Sequence, residues 1–167
     1  VVFGVEYTKR DRSMLNDLVS AMDWTAVEKT CTSDIMDMSS VFSSHSIGYM
    51  IETGSSINIS TWDVGSVNNM SWMFSGTDFN GDISDWNVSN VTNMTGMFSQ
   101  AYSFDGQLHK WDVSNVLIMD SMFGDASLFN GNISNWDVGN VRNINGMFLN
   151  TSSFNIDISN WNVSNVV

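Results

Sequence analysis

Apolar residues recur along most of this chain in one fixed order. They run Trp, Val, Val, Met, Met-Phe, Phe, Ile or Leu, and then Trp again. Trp62, Trp86, Trp111, Trp136 and Trp161 mark the period, at steps of 24, 25, 25 and 25 residues. Each unit follows W-[DN]-V-[SG]-x-V-x-x-[MI]-x-x-M-F, then a Phe, then [IL]-x-x before the next Trp. The pattern reads in two phases. Ile83, Trp86 and Val88 are spaced as a short strand entering from a turn, and Trp-x-Val has period two, so both face one side. Val91, Met94, Met97 and Phe98 fall at i, i+3, i+6 and i+7, the stripe of a short helix. Ser89 or Asn90 stands where its N-cap belongs. The Ser-, Gly- and Asp-rich segment after Phe98 turns the chain back, and Phe104 and Leu108 tuck inward.

One unit of about 25 residues cannot bury this apolar set alone, but stacked copies can. The expected fold is therefore an α/β solenoid, with one short parallel strand and one short helix per coil. Trp62, Trp86, Trp111, Trp136 and Trp161 form its core ladder, and the repeat methionines fill gaps on the inward stripe. Residues 62–167 hold four regular repeats and the start of a fifth. Residues 1–61 read as an N-terminal cap with a degenerate repeat, in which Ile35, Met38, Val41 and Phe42 match Val91, Met94, Met97 and Phe98. A loop lies within SSHSIGYMIETGSS. Before the degenerate repeat, Met14, Leu15, Leu18, Val19 and Met22 make a helical stripe, capped by Asp11 or Ser13. All of it is one continuous domain.

The period, the Trp-Asp-Val-Ser-Asn-Val opening and the Met-x-x-Met-Phe core resemble the BspA-like repeat family, a branch of the leucine-rich-repeat class found in bacterial and protist surface proteins. The resemblance is strong over residues 62–167 and loose over 24–61. Ile83, Trp86 and Val88 fill the three Leu places of the L-x-x-L-x-L-x-x-N-x-L frame. Val91 takes the Asn place, with Asn90 one step early. The resemblance implies a right-handed, leucine-rich-repeat-like superhelix and an extracellular surface protein used in adhesion or structure. It supplies no catalytic residues.

Composition narrows the function. Charged residues are 14% of the chain and the net charge is −12, so no Lys/Arg surface is available for a nucleic-acid partner. The one basic cluster, Lys9, Arg10 and Arg12, has Asp11 within it. No stretch approaches a membrane span. Cys31 stands alone and reads as a small buried residue. His45 and His109 have no Cys, Asp or Glu at metal-ligand spacing, and no hydrolase, protease or nucleotide motif occurs. The chain is expected to have no cofactor and no enzyme activity. Asx residues recur in columns: Asp63, Asn87, Asp112, Asp137 and Asn162 follow a Trp, and Asp82, Gln107, Asn132 and Asp157 precede one. Calcium ligation and turn capping both use such oxygens; the free exchange of Asp with Asn favours capping.

Asn-x-Ser/Thr sequons occur at Asn58, Asn69, Asn87, Asn90, Asn93, Asn132, Asn150 and Asn162. The Asn90 column continues as Asn115, Asn140 and Asn165 without sequons, so structure sets that column. Asn132 and Asn150, in turns, are the stronger candidates for N-linked glycan, and Ser99 and Thr151–Ser153 for O-linked sugar. The opening VVFGVEY alternates Val1, Phe3, Val5 and Tyr7 on one face, while Trp161 and Val163 lie in a coil with no cover. Head-to-tail assembly through these residues, into a filament or surface layer, is the first functional expectation. The partner is then another copy, with glycans or surface proteins as further partners. A monomeric adhesion module binding protein or glycan is the alternative.

Overall fold

The computed structural model describes residues 6–43 and 57–167. Val1, Phe3, Val5, His45 and the loop proposed between the cap and Trp62 lie outside the described residues, Ser43 excepted. The described chain opens with β1 (Thr8–Lys9), α1 (Arg12–Ser20), α2 (Trp24–Glu28) and β2 (Thr30–Cys31). β1 and β2 pair in parallel, Thr8 opposite Thr30. Asp11 caps α1 by accepting the Met14 amide at 2.9 Å, and Asp23 caps α2 through the Ala26 amide at 3.0 Å. α1 buries Leu15 and Val19 but leaves Met14 exposed, and Met22, exposed too, lies past its end in left-handed backbone, so its inward stripe is narrower than expected. α2 was not legible in the sequence, because five residues carry too little periodicity.

Beyond β2 no further helix forms among the described residues, which corrects the expected helix in each unit. In the unit opening at Trp86, the amides of Met94, Gly96, Phe98 and Gln100 donate to Ile118, Asp120, Met122 and Gly124 of the next unit, at 2.7–2.9 Å. The alternate amides of Met97, Ser99 and Ala101 donate three residues back within the unit, at 3.0–3.2 Å. An α-helix needs every amide on the carbonyl four residues back, and here half of them point across to the neighbour. Left-handed backbone at Gly96 (φ +57°) and Gln100 (φ +58°) also breaks any helix. Turns of three residues return a side chain to the interior at 91, 94 and 97, so the spacing imitates a helical stripe.

The expected strand is corrected too. The Trp86 amide bonds the Ile83 carbonyl at 3.1 Å and the Val91 amide bonds Val88 at 2.9 Å, so this stretch is two turns. Parallel pairing falls instead on single positions, Asp37–Asn69–Asn93–Ile118–Asn143, one per unit.

These bonds lay each unit on the next, in register. The degenerate unit joins in the same way: Met38, Ser40 and Phe42 donate to Asn69, Ser71 and Met73, each at 2.9 Å. Inside, the rings of Phe42, Phe74, Phe98, Phe123 and Phe148 form one near-parallel column, with centroids 5.5–5.9 Å apart. A second column, Phe79, Phe104, Phe129 and Phe154, stacks against it. Trp62, Trp86, Trp111 and Trp136 are buried. The indoles of Trp86, Trp111, Trp136 and Trp161 donate to the carbonyls of Ile59, Ile83, Leu108 and Ile133 in the preceding unit, at 3.0–3.2 Å.

Trp62 breaks this series, since its buried indole N–H has no partner among the described residues. Counting back from the Asp37–Asn69 bridge, the carbonyl in the equivalent place belongs to Val27. That residue lies in the helix α2 rather than in a repeat turn. The join between cap and repeats thus leaves one donor unsatisfied among the described residues.

Candidate functional site

The outer surface is built from short side chains bonded to backbone. Asp63, Asn87, Asp112, Asp137 and Asn162 each accept, through Oδ1, the amide two residues on, at 3.0–3.2 Å. Asn58, Asp82, Asn132 and Asp157 do the same in a second column, at 2.9–3.2 Å. Asp37, Asn69, Asn93 and Asn143 do so in a third, at 2.7–3.1 Å. Such an Asx turn needs one acceptor oxygen, which Asn and Asp supply alike. Among the described residues no group of three or more His, Cys, Asp or Glu is placed to hold a metal ion. His109 is exposed.

The same geometry accounts for several sequons. At Asn58, Asn87, Asn93 and Asn132 the Ser or Thr two residues on also donates its hydroxyl to the same Oδ1, at 2.7–2.8 Å. Asn-x-Ser/Thr is here a local bonding unit. Asn90 instead donates Nδ2 to the Gly65 carbonyl of the preceding unit at 2.7 Å. Asn115, Asn140 and Asn165 repeat that bond at 2.7–2.8 Å, an external Asn ladder one step ahead of the leucine-rich-repeat place.

A glycan attaches at Nδ2, and the sites differ in whether that atom is engaged. Asn90 is tied as above, and Asn150, in left-handed backbone, donates Nδ2 to Asp125 at 2.8 Å. Asn58, Asn87, Asn132 and Asn162 are exposed, with bonds running through Oδ1, while Asn69 and Asn93 are half-buried. Ser99 and Thr151, named for O-linked sugar, are buried, and the Thr151 hydroxyl donates to the Phe123 carbonyl at 2.7 Å.

Cys31 is half-exposed rather than interior. It lines a cleft of about 310 Å³ with Tyr7, Lys9, Thr30, Thr32, Thr61 and Asp63, because the two-residue β2 turns it outward. The Ser33 hydroxyl 3.3 Å away and then nearby Lys9 lower its pKa. Tyr7, named for assembly, has its phenol 3.3 Å from the Thr61 hydroxyl. Trp161 and Val163 lie with the last repeat. There Ile144, Met147, Phe148 and Ile158 join them around an open concavity of about 520 Å³. No described helix is long and apolar enough to cross a membrane.

The Asx turns make stability depend on pH. Bonds from the Ser114 hydroxyl and amide hold the Asp112 carboxyl below its ordinary value. Ser84 does the same for Asp82, and Ser159 for Asp157. A carboxylate depressed in the folded state stabilises above its unfolded pKa, about 3.9, and loses that contribution as pH falls through the folded value. Asp112→Asn keeps the acceptor oxygen and removes the titration, as Asn87 and Asn162 already do in that column. Its melting temperature, followed by calorimetry, should therefore fall less than that of the unaltered chain on acidification from about pH 5 to 2. Identical acid profiles would remove the Asx turn as their cause.

A family model described as "Mycoplasma protein of unknown function, DUF285" matches residues 12–126 and, again, 105–167. The chain belongs to that family. The two matches overlap, as they do when one pattern recurs along a chain. No curated protein and no solved structure matches it.

Proposed function

We propose that this chain is an extracellular, glycosylated surface protein without enzyme activity, which works by presenting a repetitive face and by joining copies head to tail. In this reading the stacked units form a right-handed solenoid of leucine-rich-repeat type, as the BspA-like resemblance implies. The observation that carries the reading is the in-register stacking of like units, each bonded to the next through alternate amides and through a continuous Phe column. A stack built this way accepts a further unit of the same pattern, and another copy is the source we propose.

Light scattering over a range of concentrations tests this. Mass should rise with concentration, and Phe148→Asp, which puts a charge into the Phe column, should abolish the rise. A clean monomer at high concentration would end the assembly reading. Deleting residues 1–7 asks separately whether the N-terminal segment makes the junction. For the sugar, mass spectrometry of the protein secreted from a eukaryotic host should find glycan on at least one of Asn58 or Asn132, whose bonds run through Oδ1, or on Asn150 once its Nδ2 leaves Asp125.

The second reading, a monomeric adhesion module, is favoured by one surface residue. Trp72 is 40% exposed in a column otherwise made of Ser and Gly.

A further inference from the structure

We propose that Trp72 is a stacking platform for a neutral carbohydrate, taking the apolar face of one pyranose ring. The proposal rests on the adhesion reading and gives it a site. Ser40, Trp72, Gly96, Ser121 and Gly146 occupy equivalent places in successive units, and all have left-handed backbone, with φ between +53° and +62°. That conformation favours glycine, and a bulky side chain there is strained. The interior does not call for the indole: Met73 and Phe74, next in the chain, are the buried residues of this turn. A strained backbone held at an exposed aromatic is an outlier of the kind that points to function.

The ring is also fixed in place. A Cβ added at Gly96 would meet its Cε3 and Cζ3 at 2.2 Å and its Cδ2 at 2.7 Å, so the six-membered ring lies directly over the glycine. The Trp72 amide bonds the Thr95 carbonyl at 2.8 Å, and the Ser75 amide bonds the Trp72 carbonyl at 3.2 Å. Ser71, Ser75 and Thr95, around this turn, are half-buried, and the Thr95 hydroxyl is tied to Asn93 Oδ1 at 2.8 Å. A flat apolar ring, exposed and held rigid over Gly96, suits the apolar face of a pyranose. A cationic ligand suits it less. In the preceding unit the Arg12 guanidinium donates to the Ser39 carbonyl and lies near the Asp37 carboxylate, so the two charges offset each other; the equivalent of Ser71 and Thr95 becomes a carboxylate only at Asp120, two units on.

The test uses the full chain on an array of neutral oligosaccharides built from glucose, galactose, mannose and N-acetylglucosamine. The indole N–H resonances are followed by NMR with any sugar retained. At least one glycan should be retained, and the Trp72 resonance should shift while those of buried Trp111 and Trp136 stay. Trp72→Ser should fold, since Ser40 and Ser121 hold the same backbone, and should weaken binding by at least about tenfold. Retention unchanged in Trp72→Ser, or a Trp72 resonance that ignores the retained sugar, would overturn the Trp72 site and leave an adhesion module that binds elsewhere. An array with no retained glycan would overturn the proposal and glycan adhesion together. A Trp72 resonance that responds to tetramethylammonium and to no sugar would overturn it in favour of a cation site.

Discussion

Trp111→Ala should destabilise the protein by about 3–5 kcal/mol, the range for deleting a large buried aromatic. Two losses combine. Trp111 is 3% exposed, with its ring 6.4 Å from that of Trp136 and tilted against Phe98, so its removal opens a cavity between units. Its indole also donates to the Ile83 carbonyl at 3.0 Å; that carbonyl keeps the Trp86 amide, so the further loss is one hydrogen bond, about 0.5–1.5 kcal/mol. The Trp62 exception separates the two. The Trp62 indole finds no partner among the described residues, so Trp62→Phe should cost less than Trp111→Phe, in which the ring is largely replaced but the hydrogen bond is lost. Urea unfolding of the three variants reads both effects. An unchanged melting curve for Trp111→Ala would sink the stacked-core account, and equal costs for the two Phe variants would remove the hydrogen bond from it.

The interior was legible because its residues repeat. The Trp, Val, Met and Phe positions recur in register, and stacking needs only that equivalent residues face the same way. Backbone conformation was not legible, because inward positions at 91, 94, 97 and 98 fit a helix and a chain of three-residue turns equally well. The discriminating signal was present in Gly76, Gly96 and Gly146, which mark left-handed positions. Trp72, Ser121, Gln100 and Asp125 in the same columns obscured it. The Asn90 column was recognised as structural because its equivalents lack the sequon. The indole hydrogen bonds depend on where the preceding unit places a carbonyl, which no local pattern reports. Trp72 escaped notice because it falls between the recurring positions, where a single sequence offers no contrast until the turn geometry is known.

Phe98→Ala should cost about 3–5 kcal/mol, and Phe148→Ala clearly less. The two residues hold equivalent places in the same column. Phe98 is wholly buried, 5.5 Å from Phe74, 5.6 Å from Phe123 and 4.0 Å from Phe104. Phe148 has Phe123 on one side at 5.9 Å and Phe154 beside it at 4.1 Å, and its other face looks onto the open concavity of the last repeat. In a stack where each unit contacts only its neighbours, a lesion with units on both sides weakens two junctions and one with a unit on a single side weakens one, so the comparison is made on residues 1–167 alone. Denaturant unfolding at low protein concentration should show that difference. The contrast also reports on assembly. If a second copy covers the end face, Phe148 becomes a central residue, and the cost of Phe148→Ala should climb towards that of Phe98→Ala as concentration rises. A constant difference across concentrations in which light scattering shows growth would mean that copies join somewhere other than this face.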